Sequence, residues 1–152
     1  MHLQHEASVL VTDGREALLF RNNGDAEFPD LHLVKKWEQQ LEPDHALKSG
    51  PPGRAFGSHD HGMRRSSYEE TNFHAQAKVD FARLVAEFLD AQLAAGAIHE
   101  LILVAPPRTL GEIRKHARPA TSKLIRAEID KDLVRHPVAH IESLLAAYPE
   151  PE

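Results

Sequence analysis

The chain has 152 residues, of which 41% are apolar and 27% charged, the balance of one packed globular domain rather than of a disordered segment. The absence of cysteine excludes a disulfide framework, a thiolate metal site and a thiol nucleophile, and suits a reducing compartment, the cytoplasm. A net charge of −5 argues against wholesale coating of nucleic acid, and no apolar run approaches the roughly eighteen residues of a membrane span.

In chain order, residues 1–6 lack the positive stretch and apolar core of an export signal and read as a flexible terminus. A β-branched run from Ala7 to Thr12 ends at Asp13-Gly14, a dipeptide that readily supplies positive φ for a tight hairpin. A second strand is expected over Arg15 to Arg21, a turn at Asn22-Asn23-Gly24-Asp25, and a third strand from Leu31 to about Leu41. Alternation on that strand puts Leu31, Leu33 and Trp37 on one face, and His32, Val34 and Lys36 on the other.

Residues 43–71 change in texture, with prolines and glycines throughout, and read as a long loop of the kind usually functional or disordered. Ser66 or Ser67, each three residues before a glutamate, or else Thr71 or Asn72, is expected to cap the next helix. Its stripe is Ala77, Phe81, Leu84, Phe88, Ala91 and Ala95, widened by Phe73 and Val85, and Gly96 stands where a left-handed cap would end it after about 36 Å.

Leu101 to Ala105 is apolar on both faces, as expected of a central strand covered by helices on each side. Thr109 with Glu112 forms a capping box for a short helix to about His116, and Ser122 to Asp130 alternates as a strand near an edge, with Ile125, Ala127 and Ile129 inward. Pro137 opens a last helix with a stripe of Val138, Ile141, Leu144, Leu145 and Tyr148, and 149–152 form a flexible tail. The expected architecture is one α/β domain over residues 7–148, a single mixed sheet of about five strands flanked by helices.

Two basic segments are the candidate binding surfaces. In the long loop Lys48, Arg54, Arg64 and Arg65 stand among glycines, Gly53 and Gly57 included, that let backbone approach a phosphate closely. Arg108, Arg114 and Lys115, followed by Arg118, Lys123 and Arg126, are opposed in that stretch only by Glu112 until Glu128, and suit salt-sensitive contact with RNA backbone. Arg108 falls just beyond the carboxyl end of the buried strand, where open α/β sheets place ligands. His59-Asp60-His61 has metal-ligand residue types at alternate positions but no third ligand at a diagnostic spacing, so no metal or cofactor is expected. No Gly-x-Ser-x-Gly elbow precedes a serine nucleophile, no catalytic residue stands out, and Asp130-Lys131-Asp132 is read as complementing the dipole of the following helix.

As a set, Val11 to Ala17, Phe28 to Leu31, Pro52 to Ser58, Leu103 to Gly111 and Glu128 to Leu133 resemble the bacterial host attachment protein family, described as required for attachment to host cells. That family is similar in turn to the central domain of archaeal and eukaryotic class-1 translation release factors. The shared order is a strand meander, a glycine-rich basic loop, a long helix, a buried strand, a short helix, a strand and a helix. The resemblance implies a non-catalytic binding protein that meets tRNA or the ribosome through its basic loop. The alternatives are a role in attachment to host cells or surfaces, with a host partner implied by the family name alone, and a hydrolase with a His/Asp loop site. Release factors carry a Gly-Gly-Gln tripeptide in this loop, and the present chain reads Gly53-Arg54-Ala55-Phe56-Gly57-Ser58 there, with no Gly-Gly-Gln anywhere.

Overall fold

The computed structural model describes residues 1–39 and 59–151, of which 59–73 are described in their backbone alone. Strand β1 (Ser8–Thr12) and strand β2 (Glu16–Asn22) pair antiparallel across the Asp13-Gly14 turn, where Gly14 adopts φ +93°, a conformation that costs a residue with a side chain about 1–2 kcal/mol. Strand β3 (Leu31–Glu38) pairs antiparallel with β2. Strands β4 (Leu101–Ala105) and β5 (Ile125–Asp130) run parallel to β1, giving a mixed sheet in the order β3-β2-β1-β4-β5. The expected five-stranded α/β architecture is thus the one observed.

β1 and β4 are buried along their whole length, because both faces of the sheet are covered. Val9, Val11, Ile102 and Val104 point to one layer, closed by Ile141 and Leu145 of helix α4 (Val138–Ala147). Leu10, Leu19, Leu101 and Leu103 point to the other, closed by helix α1 (His59–Ala94) and helix α2 (Pro107–His116). Each such side chain contributes about 1.5–3 kcal/mol through its removal from water. A short helix α3 (Pro119–Leu124) connects α2 to β5.

Several local expectations are corrected. Helix α1 already runs from His59, so residues 59–71 are not loop, and Ser66, Ser67, Thr71 and Asn72 lie inside the helix rather than at its cap. At 36 residues it spans roughly 54 Å at 1.5 Å per residue. Its buried arc centres on Phe81, Ala82, Val85, Ala86 and Leu89, while Leu84 is 48% exposed and Ala91 and Ala95 face solvent. Apolar residues occupy more than half a turn here, so a 3.6-residue period leaves the phase of the stripe open. Gly96 ends the helix as expected, at φ +70°, with its N–H donating to Leu93 and that of Ala97 to Gln92.

Two bulges overturn the alternation read in the edge strands. Phe20 pairs with Leu33 and Leu19 with Lys35, leaving Val34 unpaired, so Trp37 lies on the opposite face from Leu31 and packs against Phe88. Leu101 pairs with Ile125 and Ile102 with Ala127, leaving Arg126 unpaired, which places Ile125 on the α1 side and Ala127 with Ile129 on the α4 side. The strand expected from Ser122 begins only at Ile125, because Pro119 starts α3 and residues 122–124 complete it. The Thr109/Glu112 capping box does not form: Pro106 is the N-cap of α2, and Thr109 lies buried within the first turn. In α4 the stripe residue Val138 is 37% exposed.

The two ends of the chain pack together. Met1 and Leu3 are buried in the α4 layer, although the sequence reads as a flexible terminus there. The Met1 ammonium donates to the carbonyls of Leu145 (3.1 Å), Ala146 (3.0 Å) and Tyr148 at the end of α4. No helix among the described residues is long and apolar enough to cross a membrane.

Candidate functional site

The carboxyl ends of β1, β4 and β5 open at the same edge of the sheet. From there β1 turns back through the hairpin to β2, on one side, while β4 continues through α2 and α3 to β5, on the other. Diverging exits from adjacent parallel strands leave a crevice between them, the position at which open α/β sheets bind ligands. A cleft of about 740 Å³ lies at this point.

Its walls come from four places. The β1–β2 turn supplies Asp13 and Arg15; Asp13 Oδ1 accepts the N–H groups of Arg15 (2.9 Å) and Glu16 (3.0 Å), which fixes the turn. A Cβ on Gly14 would lie 3.2 Å from Lys78 Cγ, so the turn backbone seats directly on the lysine stem of α1. Helix α1 contributes His74 and Lys78. From β4 the chain enters α2 through Pro106 and Pro107, whose preset φ starts the helix and brings Arg108, at its second position, to the cleft with Glu112 one turn further on. The segment after β5 contributes Asp132 and Arg135. Asp132 therefore faces the cleft and does not cap α4, whose N-cap is Pro137.

Arg15, Lys78, Arg108 and Arg135 all line this cleft, and none has an ion-pair partner among the described residues. The carboxylates present are Asp13, engaged by the turn, Glu112, 3.6 Å from His116 Nε2, and Asp132. Among the described residues no group of three or more His, Asp or Glu side chains is placed to hold a metal ion. The arrangement suits an anion that also offers hydrogen-bond donors: guanidinium groups present paired donors to phosphate, and carboxylates accept from hydroxyl or amino groups.

Of the binding residues expected from the sequence, Arg108 alone among the described ones lines this cleft. Arg114 is held by both oxygens of Glu128, a contact that raises its pKa through the side-chain hydrogen bond and the attraction of the carboxylate. Lys115 is exposed on α2 outside the cleft lining. Further along the same basic stretch, Arg118 approaches Asp90 at 4.0 Å, and Arg126 pairs with Glu100 (3.1 Å) and Glu150 (2.7 Å). Lys48, Gly53, Arg54 and Gly57 lie outside the described residues. Arg64 and Arg65 fall on α1, as do His59, Asp60 and His61 in its first turn. The segment is therefore helical rather than part of the expected loop.

Sequence reasoning missed Arg15, Lys78 and Arg135. A usable signal existed for Arg15, which follows the end of β1 by three residues as Arg108 follows the end of β4, the same register relative to the sheet edge.

The sequence matches the family described as bacterial archaeo-eukaryotic release factor family 12 over residues 6–145. No curated protein matches the chain. The family match supports the release-factor-like part of the resemblance and carries no support for the host-attachment name.

Proposed function

The chain belongs to bacterial archaeo-eukaryotic release factor family 12, and from that premise we propose that it is a non-catalytic binding domain that contacts tRNA or ribosomal RNA of the translation machinery. The observation that carries this reading is the convergence of Arg15, Lys78, Arg108 and Arg135 on one cleft, each without an ion-pair partner among the described residues. Asp13, Glu112 and Asp132 share the lining but pair with none of these cations, which leaves their donors open to an anion, and a nucleic-acid backbone supplies one. In this reading Lys48, Arg54, Arg64, Arg65 and Lys115 add further backbone contacts, whereas Arg114 and Arg126 serve the fold, since carboxylates already hold them. Peptide release by a Gly-Gly-Gln loop has no counterpart in this sequence and forms no part of the proposal.

Co-sedimentation with ribosomes tests it. The protein is expected to pellet with ribosomes at low salt, to leave them steeply as monovalent salt rises, and to bind at least tenfold more weakly as the double variant Arg108→Ala/Arg135→Ala. Absence of pelleting at low salt, or binding indifferent to salt, overturns it. A role in attachment to host cells is separated by cell fractionation, which must find the protein at the surface if it is itself the adhesive factor.

A further inference from the structure

The cleft has a size and a charge pattern that narrow its ligand. A bare phosphate occupies a small part of about 740 Å³, a volume in the range of sites that enclose a small organic molecule. Phosphate contacts alone leave part of the lining unused, because Glu112 and Asp132 stand beside the four cations and can accept from hydroxyl or amino groups. The matching ligand is anionic at one end and rich in hydroxyl or amino donors at the other. Three guanidinium groups around one space favour a group with three or more acceptor oxygens over a single carboxylate, which one arginine already satisfies. Arg108 also stands in the first turn of α2, where unsatisfied backbone N–H groups add to the attraction for an anion.

We propose that the cleft at the carboxyl ends of β1, β4 and β5 binds one nucleoside phosphate, with its phosphate on Arg15, Lys78, Arg108 and Arg135 and its hydroxyl or base donors on Glu112 and Asp132. The inference rests on the RNA-contacting reading above, since the same cations serve both, and it names the chemical unit recognised. That unit is available free or as the terminal nucleotide of a strand.

Titration calorimetry of the full chain decides it, with adenosine 5′-monophosphate, a 5′-phosphorylated RNA tetranucleotide, the same oligonucleotide with a 5′-hydroxyl, and inorganic phosphate. The expected result is binding of the monophosphate, of the phosphorylated oligonucleotide, or of both, at least tenfold tighter than the 5′-hydroxyl oligonucleotide and than inorganic phosphate. Binding of the monophosphate alone assigns the free nucleotide as the source, and binding of the oligonucleotide assigns the strand end. Arg108→Ala and Arg135→Ala, with unchanged melting temperatures, should each weaken it at least tenfold. Asp132→Asn should weaken the nucleotide without weakening inorganic phosphate, since it removes an acceptor and a negative charge together. No heat with either phosphorylated ligand, equal affinity for the 5′-hydroxyl oligonucleotide, equal affinity for inorganic phosphate, or indifference to both arginine variants overturns the proposal. Ribosome co-sedimentation that persists in such a case leaves the broader reading standing. Nucleotide binding without ribosome binding removes that reading and keeps the cleft as a nucleotide site.

Discussion

Glu150 shows how single contacts set the chemistry of this chain. Its carboxylate accepts the backbone N–H of His2 (2.5 Å) and lies 2.6 Å from the same residue's Nδ1, and Arg126 reaches it at 2.7 Å. These contacts, the His2 backbone hydrogen bond foremost, hold its pKa below the ordinary glutamate value. A carboxylate with a depressed folded-state pKa adds stability above its unfolded value and loses it as pH falls through the folded one. Urea midpoints followed down through the acid range should therefore fall more steeply for the native chain than for Glu150→Gln; identical profiles would show that the clasp between the chain ends adds nothing. The contrast between Arg108 and Arg114, six residues apart on α2, belongs to the same scale. One faces the cleft unpaired among the described residues while the other is held by Glu128, and nothing in their sequence neighbourhood separates them.

Among the elements, β3 carries the clearest lesson. Strict alternation expects Trp37 beside Leu33, but the extra residue Val34 turns it to the α1 side, where its ring centroid lies 4.8 Å from that of Phe88. Lys35 Nζ lies over both rings, 5.3 Å from Trp37 and 4.8 Å from Phe88. Trp37 is the sole tryptophan, so fluorescence reports this packing directly. Phe88→Ala should shift its emission to the red and cost at least about 1 kcal/mol of stability; unchanged emission would contradict the placement of Trp37. The short helix α3 depends likewise on a distant residue, since Asp90 Oδ1 on α1 accepts from the Arg118 N–H (3.1 Å) and the Thr121 hydroxyl (2.5 Å). No capping motif within 117–124 announces it.

At the scale of the whole molecule, one sheet separates two apolar layers and belongs to both, because residues of β1 and β4 alternate between them. Neither layer can open without exposing the strands that serve the other, so unfolding should be a single transition. Urea curves from Trp37 emission and from far-ultraviolet circular dichroism are expected to superimpose, and separated midpoints would show that the layers melt independently. The same topology makes the cleft, since only the divergence of the β1 and β4 exits brings Arg15, Lys78, Arg108 and Arg135 to one place. By itself the sequence determined the Asp13-Gly14 hairpin, the Gly96 helix end and the buried strand at 101–105, because positive φ and burial on both faces are demands met by adjacent residues. Only the tertiary structure decided which face Trp37 and Ile125 take, where α1 begins and which cations are spared a carboxylate. Those outcomes depend on partners far apart in the chain, and a local pattern carries no record of which distant side chain arrives beside it.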